Sequence, residues 1–252
     1  QTPSFFLKSG QVFSGSGAGQ VLFLIRFVLD FKKDLKIRSQ PCVVGDRPRG
    51  TRARRPPRAR RWLARGAAAV GRILEGLGVD VVFGLCGDTS LPFYDALVDS
   101  KQLHHVLTRD ERCASFMADA YARLSGRVGV CEGPSGGGAT YILPGVAEAN
   151  ESSVPLVCLT SDIGVEDRGK GTLTELDQAG LFAPVSKQVF SPTSGADLPH
   201  MLRSAFREAT TGSLGACHVS LPLDVQGQPV DASDVHADER FGRYPDERLA
   251  PR

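Results

Sequence analysis

The stretch "HHVLTRDERCASFMADAYARLSG", residues 104–126, decides how the chain folds. Its first five residues read as a strand, and a helical pattern follows over 110–125, closed by Gly126. Helical spacing from Asp110 places Glu111 on one face with Ala114, Ser115, Ala118, Ala122 and Ser125, all small except the glutamate itself. Met117, Tyr121 and Leu124 form an adjoining bulky stripe, while Arg112, Asp119 and Arg123 fall on another side. Glu111 therefore heads a seam where another element can approach closely. A carboxyl group in such a seam loses hydration, which favours proton exchange with a ligand. The competing reading is an acidic residue in a first helical turn, favourable with the helix dipole and otherwise idle.

The same alternation extends outward from this stretch. Upstream, "AAAVGRILEGLG" (67–78) has helical spacing, "VDVVFGLC" (79–86) is a continuous apolar run, and "SLPFYDALVDS" (90–100) is a helix with Pro92 in its first turn. Downstream, strands are expected at "VGVCEG" (128–133), "VPLVCLTS" (154–161), "PVSKQVF" (184–190) and "ACHVSLPLDV" (216–225). Helices are expected at 139–151 and 196–210. Strands alternating with single helices imply a doubly wound α/β domain: about six strands, mainly parallel, with helices on both faces. Ligands of such sheets sit at the carboxyl ends of the strands, which singles out the loops 84–90, 108–112 and 132–140.

Charge divides the 252 residues unevenly. Residues 1–65 carry fifteen Lys/Arg against three Asp, a balance of +12, and the remainder balances at −10. "VLFLIRFVLDF" (21–31) is too short and too charged to span a bilayer, and "RPRGTRARRPPRARR" (47–61) is broken by proline. Residues 1–65 are read as upstream translated sequence or a disordered extension rather than a nucleic-acid-binding tail or transit peptide. "GSGAGQ" (15–20) lacks the spacing of a dinucleotide-binding turn. The six cysteines, 42, 86, 113, 131, 158 and 217, include no CxxC pair, which suits reduced thiols and a cytoplasmic location.

The loop "CEGPSGGGAT" (131–140) joins a strand to a helix without the GK[ST] of a P-loop. Gly133 to Gly137 fits GxSxG, so an α/β-hydrolase with Ser135 as nucleophile, Asp224 and His236 completing a triad, is one reading of it. "FGLCGDTSLPFYDAL" (83–97) taken alone is a tight strand-to-helix connection.

Taken together, "VFGLCGDTSLPFYDAL", "TRDERCASFMADAYARLSG", "GVCEGPSGGGAT", "ANESSVPLVCLTSD" and "GACHVSLPLDVQ" resemble, in order and spacing, the N-terminal pyrimidine-binding domain of thiamine-diphosphate enzymes of the acetolactate synthase group. The resemblance covers about residues 67–228. It implies that Glu111 is the catalytic glutamate, which bonds N1′ of the cofactor's aminopyrimidine and so favours the form whose 4′-imine removes the thiazolium C2 proton. It further implies cofactor contacts from Leu85, Cys86, Gly87, Pro134, Gly137, Tyr141 and Thr174. The family pattern has Pro at Cys86, Pro at Gly137, Asn at Tyr141 and Gln at Thr174. The resemblance thus extends to a 2-oxo acid carboligase or decarboxylase without fixing acetolactate formation, and it gives no indication of FAD. A relative without catalysis, serving regulation, is the remaining alternative.

The family anchors diphosphate and Mg²⁺ with a GDG…NN segment in another domain, and neither Gly45-Asp46 nor Gly87-Asp88 continues that way. "VDASDVHADERFGRYPDERLAPR" (230–252) reads as a linker toward a middle domain, with residues 231–252 outside the pyrimidine-binding domain of 66–230. The expected partner is a diphosphate-binding domain of the same or a second subunit, in a homodimer or tetramer whose interface the seam below Glu111 would suit. Alone, the chain is expected to bind the cofactor poorly; a membrane or nucleic-acid partner is not expected.

Overall fold

A computed structural model describes residues 63–236 and 239–243. The chain divides into two units, 1–56 and 57–252, and every described residue belongs to the second. The basic run, the apolar stretch 21–31 and the glycine-rich 15–20 lie outside the described residues.

Six strands form one sheet: β2 (Val81–Gly84), β3 (His104–Leu107), β4 (Gly129–Gly133), β5 (Leu156–Asp162), β6 (Gln188–Phe190) and β7 (Ala216–Pro222). Their order is β3-β2-β4-β5-β7-β6 and every pairing is parallel, so the fold is the doubly wound α/β sheet expected from the alternation. The helices are α1 (Gly66–Gly76), α2 (Leu91–Val98), α3 (Glu111–Ser125), α4 (Gly137–Tyr141), α5 (Leu143–Glu151), α6 (Gln178–Phe182), α7 (Asp197–Thr210) and α8 (Leu223–Gly227). A two-stranded antiparallel pair, β1 (Leu63–Arg65) with β8 (Pro229–Asp231), was not foreseen. Neither strand is long enough to show a period. The segment 239–243 also packs against the domain: Phe241 lies against the core, and Val128 donates a backbone hydrogen bond to the Gly242 carbonyl.

The expected helix over 139–151 is two helices. Pro144 has no N–H to give to a carbonyl one turn back, so it occupies the first turn of a new helix after Ile142. Two strands are shorter than their apolar runs, because the sheet ends at Gly84 and starts only at Gln188.

Alternation along the strands sends successive side chains to opposite faces. Val82, Val130, Val157, Leu159, Val219 and Leu221 meet α1, α2 and α7 through Ile73, Leu74, Phe93, Leu202 and Phe206. Phe83, Cys131, Cys158 and Ala216 face the other way, toward Ala114, Ala118 and Ala122 of α3 and Val146 and Ala149 of α5. The winding reverses between β2 and β4. After β2 the chain runs to β3 on one side, then passes back to β4 on the other. The loops that leave β2 and β4 therefore go to opposite faces and open a crevice at the strands' carboxyl ends.

Candidate functional site

Four loops converge on this crevice. Asp110 caps α3, its carboxylate accepting from the Arg112 N–H at 2.9 Å, and Arg112 holds the same carboxyl in a two-point pair that lowers it to about 2. This cap fixes where the helix begins, and the first helical residue is Glu111. Its side chain is 8% exposed and turns inward, away from exposed Arg109 and Arg112. Among the described residues it takes no hydrogen bond or ion pair.

The Glu111 carboxyl has room because of glycines. A Cβ on Gly138 would stand 3.1 Å from Glu111 Oε1 and 2.5 Å from Pro134 Cδ, and one on Gly133 would stand 3.6 Å from Glu111 Cγ. Pro134 in turn closes against the β2 loop, where a Cβ on Gly87 would come within 2.5 Å of Pro134 Cβ. Gly87 thus meets Pro134 at the point where the winding reverses.

Ser135 ties the third and fourth loops. Its Oγ receives the Thr89 hydroxyl at 3.0 Å and lies 2.8 Å from Thr174 Oγ1, and its N–H donates to Thr89 Oγ1 at 3.1 Å. Thr174 adopts φ +67°, a left-handed conformation that a β-branched residue rarely takes, and the Ser135 bond helps to hold it. The triad reading of Ser135 fails on these contacts. Asp224 accepts the N–H groups of Val165 and Val225, and exposed His236 bonds the Ser233 carbonyl in its own turn. The Ser135 hydroxyl faces two threonines instead of an imidazole.

The positions implied by the resemblance separate into two layers. Glu111, Pro134 and Gly87 are packed together as above. Cys86, Gly137, Tyr141 and Thr174, the four that differ from the family pattern, are exposed. Tyr141 is 58% exposed, with the Arg112 guanidinium 5.9 Å from its ring centre. The base of the crevice keeps the pattern and the rim departs from it.

Asp119, on a side of α3 other than that of the small-residue seam, is 7% exposed, and its carboxylate is held by Arg123 at 2.9 Å. Burial pushes its pKa up while Arg123 opposes the shift. One expectation is corrected: the seam below Glu111 is not open to a subunit. Ala114, Ser115, Ala118 and Ala122 are all fully buried by this chain's own α5 and β4. A Cβ on Gly145 would fall 2.4 Å from Ser115 Oγ, and one on Gly129 would fall 2.2 Å from the Ala118 carbonyl oxygen.

The sequence reading missed Glu132. It lies in β4 with no exposed surface, its Oε2 accepting from Tyr94 at 2.6 Å and its Oε1 from Ser161 at 3.4 Å. Burial raises it to about 8, with the Tyr94, Ser90 and Ser161 hydroxyls pulling the other way and the charge of Glu111 adding to the rise. The signal was there: a charged residue inside a run that reads as a strand buried on both faces.

Residues 64–181 match the thiamine pyrophosphate enzyme, N-terminal TPP binding domain family. This part of the chain is similar to that family. It is 43% identical over 167 residues to the probable acetolactate synthase large subunit of Methanocaldococcus jannaschii, a match covering 66% of this chain and 28% of that protein. To the acetolactate synthase of Mycobacterium bovis it is 46% identical over 164 residues, 65% of this chain and 26% of that protein. To the acetolactate synthase large subunit of Corynebacterium glutamicum it is 43% identical over 166 residues, again 66% and 26%. The matched region spans little more than a quarter of the length of these relatives. The resemblance read from the motifs is therefore to the right family, acetolactate synthase-like and dependent on thiamine diphosphate. No helix among the described residues is long and apolar enough to cross a membrane.

Proposed function

We propose that residues 66–230 are the pyrimidine-binding part of a 2-oxo acid carboligase or decarboxylase, with Glu111 as its catalytic acid–base group. The observation that carries this reading is the Glu111 carboxylate. It is nearly buried, lacks a partner among the described residues, and stands over a glycine cradle at the reversal of the sheet. A desolvated carboxyl without a protein partner suits a ligand that shares a proton with it. An aminopyrimidine with a weakly basic ring nitrogen is such a ligand, so the residues fit the cofactor that the family uses.

In this reading the Glu111 carboxyl faces that ring nitrogen and hydrogen-bonds to it. Gly133 and Gly138 keep the space for it, and Pro134 with Leu85–Gly87 shapes the opposite wall. Cys86, Gly137, Tyr141 and Thr174 form the rim, where the exposed departures point to a 2-oxo acid other than the one acetolactate synthases take. Thiamine diphosphate, when bound, would supply a carbon acid whose deprotonated form can add to a 2-oxo acid carbonyl and take up the electron pair left by decarboxylation. Mg²⁺ and the diphosphate belong to a second domain, from the same or a partner subunit.

The test is Glu111→Gln in the enzyme completed by that domain. Exchange of the cofactor's C2 proton is expected to slow by about 10²–10⁴-fold, the usual worth of a placed acid–base group. Exchange at the original rate would remove Glu111 from the mechanism and favour a non-catalytic relative.

A further inference from the structure

Thr174 stands where the backbone would be easier with another residue. The Glu175 N–H donates to the Thr172 carbonyl at 3.1 Å, so Leu173 and Thr174 are the central residues of a turn. The second of them takes φ +67°, at a place in a turn that glycine or asparagine usually fills. A β-branched side chain is strained there, and glycine would relieve the strain. What threonine adds at this position is its hydroxyl.

That hydroxyl ends a chain of three. Gln226, fully buried in α8, donates through Nε2 to the Leu221 carbonyl at 2.7 Å and to the Thr89 carbonyl at 3.0 Å, which ties Thr89 to the end of β7. Thr89 Oγ1 accepts the Ser135 N–H at 3.1 Å and gives its own proton to Ser135 Oγ at 3.0 Å. Ser135 Oγ lies 2.8 Å from Thr174 Oγ1, and one proton serves that contact. If Thr174 gave it, the Ser135 proton would be left without an acceptor. Ser135 is only 6% exposed and its hydroxyl has no third partner among the described residues, so that arrangement is costly. If Ser135 gives it, the leftover proton belongs to exposed Thr174, where water can take it. The protons therefore run from Thr89 to Ser135 to Thr174 and end on a donor at the rim, each hydroxyl polarising the next. Thr174 sits against the Gly136 turn, where an added Cβ would come within 2.9 Å of the Thr174 Cβ, and Gly138, two residues on, borders Glu111.

Resting on the reading of this crevice as the site of a 2-oxo acid enzyme, we propose that the Thr174 hydroxyl binds an oxygen of the 2-oxo acid, and that Ser135 and Thr89 are positioning residues that aim its proton. The head of a 2-oxo acid anion, a carbonyl beside a carboxylate, offers acceptors only, so a rim donor with no acceptor of its own in the protein complements it. Ser135 touches no ligand and acts through Thr174.

The probes are pyruvate, 2-oxobutanoate, glyoxylate and phenylpyruvate, and the one that the completed wild-type enzyme turns over fastest is used throughout. Thr174→Gly takes the left-handed turn without strain and lacks the hydroxyl. It should raise KM about tenfold, the scale of one hydrogen bond to a charged acceptor, with exchange of the cofactor's C2 proton unchanged. Ser135→Ala should raise KM nearly as much, and the double variant no more than Thr174→Gly alone, because the two groups act in series. A pair with only a structural role would slow C2 exchange or add in the double variant. Wild-type KM in Thr174→Gly, or additive losses in the double variant, would overturn the proposal. Thr174 is exposed, so its glycine variant carries the test even if Ser135→Ala does not fold. In the chain without cofactor, three-bond couplings to the Thr174 methyl group should show one rotamer in the wild type and rotamer averaging in Ser135→Ala; identical couplings would remove the positioning role. If the couplings change as expected while the completed wild-type enzyme exchanges no C2 proton and turns over none of the four acids, the cofactor reading falls and takes the substrate contact with it.

Discussion

The two faces of the sheet are built to different rules. Against α1, α2 and α7 the sheet presents valines and leucines, and the helices answer with Ile73, Leu74, Phe93, Leu202 and Phe206. Against α3 and α5 alanines and cysteines predominate beside a few larger groups such as Phe83 and Val146, and backbones nearly touch at Gly129 and Gly145. The first face stores stability by volume, since a buried large side chain contributes roughly 1.5–3 kcal/mol. The second gives up volume for placement. Glu111 is the first residue of α3, so the depth at which α3 lies on the sheet sets where that carboxyl stands.

Four substitutions would break or sharpen this contrast. Phe206→Ala empties the thick face. A loss of about 3–5 kcal/mol is expected in chemical denaturation, with cofactor affinity of the folded completed enzyme unchanged. A large affinity loss would mean that the faces are not separable. Glu132→Gln comes next. A buried acid held at about 8 instead of its ordinary 4.5 binds more protons folded than unfolded between those values. Its contribution to stability therefore falls as pH rises through that window, by at most about 1.4 kcal/mol per pH unit. Melting temperature followed against pH should show this decline in the native chain and lack it in the variant. Gly145→Ala acts on the thin face by overpacking. It should destabilise by about 1–3 kcal/mol and, because Ser115 and the Phe116 backbone must move, also weaken cofactor affinity in the completed enzyme. Stability lost with affinity intact would show that α3 depth does not govern the site. Ser135→Ala should be smallest, about 1 kcal/mol for the lost hydroxyl contacts with Thr89 and Thr174. If it also abolished turnover, Ser135 would have a chemical role that its contacts do not suggest.

The contrast also explains what could be read from the residues alone. Strand and helix alternation carried the six-stranded sheet, and the small-residue spacing separated Glu111 from Arg112. Both are one-dimensional periods. What no period carries is which element fills a seam. The stripe from Ala114 to Ala122 fits a subunit as well as it fits α5, and only the position of Gly145 decides between them. The burial of Asp119 is likewise a matter of tertiary contact, since Arg123 makes it tolerable. Glu132 was passed over because its neighbours are apolar, although an acid in such company is itself the anomaly. The β1–β8 pair depends on residues more than 160 positions apart and leaves no local trace.

That pair has a kinetic consequence. Register places Leu63 opposite Asp231 and Arg65 opposite Pro229, so the clasp joins the two margins of the domain across nearly its whole contour. Closing so long a loop has a large entropy penalty, and three residues a side return few hydrogen bonds for it. The clasp should therefore zip last during folding, after the parallel strands are in place, and open first in the native state. Its amides should exchange with solvent through local fraying, while those of the fully buried β5 exchange only on global unfolding.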